Sequence, residues 1–389
     1  MLLLKLLNST KKSTTKNNMK KRFLFFFVHP SKFHVFRLTI NHLINSGHNV
    51  DIVITSKDVL EELVSAEGWN YTNIFSKGRK FKGVSPYISA GVNFFRTISR
   101  LYQYTKEKKY DLFITDDLLV YVGKFRKVPT FAFTDDDIAI VKEFSIVLKF
   151  ADYILAPSIT DLGQFNSKKI AFEGYKELAY LHPNQFTPDI EQVNRIIPEK
   201  DYFILRLVSL TAYHDVGKSG ITKEKAKQLI NLLKNYGQVY ISAERELSDE
   251  LEKYRLQIEP HQLKDILSQA KAYIGDSQTM SSEAAILGVP SFRFNDFVGK
   301  IGVMDEKDDV YKLSKSYKTN EFSLLLKDLE NSLKGDQFSN QIKENKRRML
   351  SEKVDLTSYM IWLFENFPES VETIKQTPNY QQKFINSTS

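Results

Sequence analysis

The 389-residue chain contains no cysteine. Disulfides, thiolate metal ligands and a cysteine nucleophile are thereby excluded, and a cytoplasmic, reducing setting fits best. No apolar run approaches the length of a membrane span. The opening Met1-Leu2-Leu3-Leu4-Lys5-Leu6-Leu7 is too short for a signal-peptide core and lacks a small-residue cleavage site. Residues 1–20, polar and lysine-rich after that opening, read as a disordered extension, with Met19 as a candidate start. The Gly-x-Gly-x-x-Gly turn of a dinucleotide site is also missing after the first apolar run, so NAD is disfavoured. No nucleic-acid-binding motif is present.

Apolar residues make up 42% of the chain, with 28 Phe and 19 Tyr, enough for two substantial cores. The net charge of +8 is uneven. Between residues 77 and 109, Lys77, Arg79, Lys80, Lys82, Arg96, Arg100, Lys106, Lys108 and Lys109 are opposed only by Glu107. Such a block suits either a solvated helix face or peripheral contact with the anionic inner face of a membrane.

Strand-like and helix-like segments alternate from Arg22. Phe23–Val28 is fully apolar, as a central parallel strand requires. His34–Ser46 has helical spacing and stops at Gly47. Val50–Ile54 returns as a strand, Lys57–Glu67 as a helix, and Asp111–Thr115, Thr130–Phe133 and Tyr153–Leu155 as further strands. The proline-marked stretch from His182 to Pro198 breaks the rhythm. A second set then runs from the strand Tyr202–Val208 to the strand Ser291–Phe294. The expectation is a two-lobed α/β fold with parallel sheets facing a central cleft. The first lobe spans 21–185, a linker 186–200, the second lobe 201–335, and a C-terminal helix and tail 336–389.

One stretch carries the most chemistry: Ala272-Tyr273-Ile274-Gly275-Asp276-Ser277-Gln278-Thr279-Met280-Ser281-Ser282-Glu283, closed by Gly288-Val289-Pro290. It reads as a strand, a polar turn and a helix. Unpaired N–H groups and the positive dipole end of that helix suit a diphosphate. Ser277, Gln278 and Thr279 add polar contacts, and the Glu283 carboxylate suits both hydroxyls of a ribose. The alternative is an ordinary capped helix. Arg206, inside an apolar strand, needs an anion, either a phosphate or a neighbouring acid. His214 and Lys218 lie on a glycine-containing loop suited to phosphate or sugar, although the P-loop spacing is absent. Ser242 and Arg245 flank another strand end. In the first lobe His34 stands near a helix start, as base or as buried structural histidine. Thr134-Asp135-Asp136-Asp137 supplies carboxylates at a strand end, with Asp135 as a candidate base or cap.

Residues from about 22 to 335 resemble the family called domain of unknown function 354, related to UDP-N-acetylglucosamine 2-epimerases and GT-B glycosyltransferases. The matching pieces are Pro30-Ser31-Lys32-Phe33-His34-Val35-Phe36, Ser46-Gly47-His48-Asn49-Val50, Ile54-Thr55-Ser56-Lys57-Asp58, Gly174-Tyr175-Lys176-Glu177-Leu178-Ala179-Tyr180-Leu181, Ala212 through Gly220, and Thr279 through Pro290. The resemblance implies a GT-B-like fold, a ribose held by Glu283 and a diphosphate held by Ser277–Thr279. The turn Gly275-Asp276-Ser277-Gln278 leans toward the epimerases, and Val208 stands where an acid is expected.

The resulting expectation is a metal-independent transferase that takes a UDP-sugar as substrate, uses no cofactor and acts on a glycan or lipid-linked acceptor. A UDP-N-acetylglucosamine 2-epimerase and a non-catalytic sugar-nucleotide binder are the alternatives.

Overall fold

A computed structural model describes residues 20–55, 59–76, 86–208 and 220–385. Two wholly parallel sheets organise them, one of seven strands in the order β3-β2-β1-β4-β5-β6-β7 and one of five in the order β12-β11-β10-β8-β9. The first comprises β1 (Arg22–Phe27), β2 (Asn49–Ile54), β3 (Tyr71–Asn73), β4 (Leu112–Thr115), β5 (Thr130–Phe133), β6 (Tyr153–Pro157) and β7 (Lys169–Phe172). The second comprises β8 (Tyr202–Leu207), β9 (Gln238–Ala243), β10 (Ala272–Gly275), β11 (Ser291–Phe294) and β12 (Ser314–Tyr317). Both orders are doubly wound. The winding direction reverses between β1 and β4 in one sheet and between β8 and β10 in the other, and crevices open at such points.

Strand β1 shows why the run at Phe23–Phe27 has no polar residue. Phe23, Phe25 and Phe27 point into one core and Leu24 and Phe26 into another, so both faces are covered. The first face lies under α1 (Pro30–Asn45), and the opposite face under α3 (Pro86–Thr105), α4 (Leu119–Arg126) and α5 (Ser145–Phe150), with α2 (Leu60–Ala66) at the β2–β3 edge. Between β5 and β6 a 3-10 turn at Lys142–Phe144 precedes α5.

After β7 comes α6 (Leu178–Leu181), and the proline-marked break docks onto the C-terminal region. Asn184 and Gln185 bond the Asp355 carboxylate, which also caps a later helix by accepting from Ser358 N–H. The stretch read as linker carries α7 (Ile190–Ile196), capped by Asp189, whose Val193 joins Ile197 in packing with the second lobe. A four-residue apolar spacing is enough for one helical contact, and the flanking prolines conceal it.

The second sheet is covered by α8 (Lys223–Leu233), α9 (Asp249–Glu252), α10 (Leu263–Gln269), α11 (Gln278–Leu287), α12 (Gly302–Asp305) and α13 (Phe322–Ser332). The C-terminal region is structural. Helix α14 (Gln337–Glu352) packs on α11 and α13, then α15 (Leu356–Glu365) and α16 (Glu369–Gln376) return to the first lobe. Phe364 on α15 lies edge-on to Phe25 and Phe131, with ring centres 6.2 and 5.5 Å apart. The first lobe's core is therefore completed by residues more than three hundred positions away.

Candidate functional site

The sequence after β7, Gly174-Tyr175-Lys176-Glu177-Leu178-Ala179-Tyr180-Leu181, sits where the two lobes meet. Tyr175 is fully buried; its hydroxyl donates to Glu306 at 2.6 Å and its ring lies 3.7 Å from the Lys307 ammonium. Lys176 pairs with Asp135 at 2.7 Å. Glu177 faces Lys307 at 3.9 Å. Burial pushes Lys307 down to about 8, against the pull of Glu177. The Tyr180 hydroxyl donates to Glu283 Oε1 at 2.9 Å, across the lobes.

On the second lobe, α11 begins directly after β10, at the reversal between β8 and β10. Ser277 is its N-cap, accepting from Met280 N–H at 3.3 Å. The N–H groups of Gln278 and Thr279 have no intrahelical acceptor, as at any helix start. Ser277 and Gln278 are part-buried and Thr279 is exposed. Glycine is required at 275, because a Cβ there would collide with the Tyr273 hydroxyl and the Arg206 Cβ.

Asp276, one residue before the cap, binds the two ends of the segment that carries His214 and Lys218. Its carboxylate accepts from Val208 N–H at 2.8 Å and Ile221 N–H at 3.1 Å. Burial raises its pKa to about 6, with those two bonds opposing. Residues 209–219, His214 and Lys218 among them, lie outside the described residues. Arg245 donates to the Ile221 carbonyl at the same place.

Glu283 lies further along α11 and is 6% exposed. Burial raises its pKa, while Lys264 and the Tyr180 bond pull it back. Its inner position leaves the carboxylate partly engaged by the protein's own Tyr180. Arg206 takes the acid-paired alternative: it donates to Ser242 Oγ at 2.6 Å and pairs with Glu244. That joins Arg206 and Ser242 at one strand edge.

The first-lobe candidates are engaged by neighbouring cations. His34 on α1 is part-buried, and its Nδ1 lies 3.1 Å from the Lys264 ammonium on the other lobe. Burial, then Lys264 and Arg37, push its pKa down to about 3, so it is neutral at ordinary pH. With Nδ1 accepting from Lys264, the remaining ring nitrogen carries the proton. The imidazole is thus neutral, as the base expected from sequence would be, with Nδ1 engaged by Lys264. Asp135 is held by Lys32 at 3.2 Å and Lys176 at 2.7 Å. Burial opposes its charge, but the two ammonium groups outweigh burial and keep the carboxyl well below the usual carboxylate range. Asp135 thus anchors two lysines, Lys32 and Lys176. Asp137 is also engaged, accepting from Asp161 N–H at 2.6 Å and, across the lobes, from Gly302 N–H at 3.1 Å.

Asp116 is the carboxyl that sequence reasoning missed. It follows β4, beside the reversal between β1 and β4. One of its oxygens, Oδ1, is buried with no hydrogen-bond partner among the described residues. Burial raises its pKa to about 7, Lys32 opposing and Asp117 adding to the rise. The signal was present as Thr115-Asp116-Asp117 after an apolar strand, the same pattern as Thr134–Asp137. A carboxyl poised near neutrality at a sheet reversal has the properties of a general base. Among the described residues no group of three or more His, Asp or Glu is placed to hold a metal ion.

No known family profile and no curated protein sequence matches this chain. Solved structures do match in fold. Staphylococcus aureus MnaA with UDP shares 13% identity over 92% of this chain and 97% of its own, with a TM-score of 0.62. Neisseria meningitidis UDP-GlcNAc 2-epimerase bound to UDP-GlcNAc shares 14% over 85% and 99%, with a TM-score of 0.58. The calicheamicin glycosyltransferase CalG4 shares 11% over 90% and 100%, with a TM-score of 0.55. The fold is that of GT-B glycosyltransferases and UDP-GlcNAc 2-epimerases, two Rossmann-like lobes with parallel sheets. At these identities the likeness establishes the fold alone.

Proposed function

We propose that the chain is a glycosyltransferase that takes a UDP-sugar as donor and a hydroxyl of a glycan or lipid-linked acceptor. What supports this reading is the start of α11 at one sheet reversal together with Asp116 at the other, a carboxyl whose buried Oδ1 has no partner among the described residues. The start of α11 receives the diphosphate, with Ser277, Gln278 and Thr279 lining it, and Glu283 takes the ribose hydroxyls in place of Tyr180. The acceptor oxygen attacks the anomeric carbon as the bond to the diphosphate oxygen breaks. Its proton passes to Asp116, and the anomeric centre inverts in this single displacement. Negative charge gathering on the departing diphosphate is met by the helix dipole and by His214 and Lys218, an electrostatic role. Arg206, already paired with Glu244, stiffens the strand edge beside that site, and Ser242 and Arg245 flank it.

The turn Gly275-Asp276-Ser277 favours a second reading, a 2-epimerase in which the same carboxyl moves the C2 proton of UDP-N-acetylglucosamine. Incubation of that sugar nucleotide with the protein and no acceptor separates the two. Appearance of the C2 epimer overturns the transferase reading, whereas UDP release that depends on an added acceptor supports it. Calorimetric titration with UDP tests the donor site directly. Glu283→Ala is expected to weaken binding by about 1–3 kcal/mol, and unchanged affinity removes Glu283 from the site.

A further inference from the structure

We propose that the outer face formed by α3, α4 and α5 is a docking surface for an anionic phospholipid bilayer. The proposal is independent of the nucleotide site. Helix α3 turns a stripe of apolar side chains outward, where a helix over a sheet ordinarily shows polar ones. Ile88 is 61% exposed, Phe95 72% and Tyr102 44%, with Val92 also exposed. The stripe continues sideways. Phe94 meets Tyr121 of α4 edge-on, with ring centres 5.1 Å apart, and Tyr121 packs on Phe150 of α5 at 4.3 Å. One turn beyond Tyr121, Phe125 is 76% exposed, and Ile146 of α5 is exposed as well. Isolated exposed apolar residues are common, but a run across three adjacent helices marks a contact surface.

Charge identifies the partner. Residues 86–105, 119–126 and 145–150 contain no Asp or Glu, whereas they contain Arg96, Arg100, Lys124, Arg126 and Lys149. Arg96 and Arg100 lie over the Phe75 ring, and Arg126 donates to the backbone carbonyls of Thr105 and Lys108. For Arg100 and Arg126 those partners are a ring and backbone carbonyls, not acids. Lys124 pairs with Asp152, and Lys127, Lys142 and Lys149 are exposed at the rim, with Glu143 the acid beside them. An apolar centre edged by cations, Arg100, Lys127, Lys142 and Lys149 among them, matches a bilayer interface that carries anionic headgroups. No helix among the described residues is long and apolar enough to cross a membrane, so the contact is peripheral. The basic block visible in sequence therefore does not present a purely charged face. Arg96 and Arg100 lie against the Phe75 ring beside the apolar stripe; Lys77, Arg79, Lys80 and Lys82 lie outside the described residues.

The test is co-sedimentation of the full chain with phosphatidylcholine vesicles, with and without phosphatidylglycerol. Binding is expected to require phosphatidylglycerol and to fall as salt rises from about 0.1 M to about 0.5 M. Phe95→Glu should lower the partition coefficient about tenfold or more, the scale of a lost buried phenyl ring. Phe125→Glu, on a different helix, should act in the same direction, and the far-UV circular dichroism and thermal melt of each variant report its fold. Absence of binding to phosphatidylglycerol vesicles overturns the proposal, as does binding that neither variant weakens. A concentration-dependent dimer in sedimentation velocity that Phe95→Glu dissociates also overturns it, because a second copy then covers the face.

Discussion

The two cleft edges differ in kind. On the second lobe the edge is built from backbone: a capped helix start, a glycine that admits close packing, and Asp276 accepting two main-chain N–H groups. On the first lobe it is built from charged side chains, Lys32, Asp116, Asp135 and Lys176, most of them locked in pairs. Fixed dipoles suit a ligand whose charge is always present. Ionisable side chains suit a step in which a proton moves. The contrast lies in occupation: Asp135 is doubly paired, whereas Asp116 Oδ1 has no hydrogen-bond partner among the described residues.

Breaking the first-lobe pairs should have the largest effect. Lys176→Met leaves the buried Asp135 carboxylate with Lys32 alone and should lower the unfolding free energy by about 3 kcal/mol in a urea titration. Adding Asp135→Asn to that variant should recover part of the loss. If Lys176→Met is as stable as the parent chain, the network is not the junction described above.

Asp116→Asn comes next. Turnover should fall by about 10²–10⁴-fold, while UDP affinity stays unchanged. In the parent chain kcat/KM should decline tenfold per pH unit below about 7, because the base must be ionised and its pKa is raised to about 7. A profile flat down to pH 5 would remove Asp116 from the reaction.

The smallest effect sharpens the donor side. Tyr180→Phe frees Glu283 from its cross-lobe hydrogen bond, so UDP should bind equally well or more tightly, within about 1 kcal/mol. The parallel Glu283→Ala loss would then come from the ribose contact and not from loosened lobes. A fall for Tyr180→Phe equal to that for Glu283→Ala would make the pair a hinge contact instead.

Much of the architecture was readable from pattern alone. The apolar runs at Phe23–Phe27 and Phe131–Phe133 need no tertiary knowledge, because a strand covered on both faces is mostly apolar. The start of α11 was equally legible, since Ser277 and Gly288 are an ordinary cap and stop. The bases were harder. His34 and Asp135 were chosen for residue type and position after a strand, but type does not reveal that Lys264 or Lys176 stands opposite. Asp116 was passed over, although Thr115-Asp116-Asp117 follows β4 as Thr134-Asp135-Asp136 follows β5. Its raised pKa depends on burial, and burial is a property of the assembled molecule.

By itself the sequence determined two parallel α/β lobes, the helix start after Ile274 and the absence of cysteine chemistry, because these follow from periodicity, capping and composition. Tertiary structure alone decided which carboxyl oxygen lacks a partner among the described residues, that α15 closes the first core, and that α3 shows the Phe95 ring to solvent. The physical reason is range. Periodicity and caps act within a few residues along the chain, whereas ion pairing and desolvation depend on partners such as Lys32 with Asp135 and Tyr180 with Glu283, about a hundred positions apart and joined only by folding.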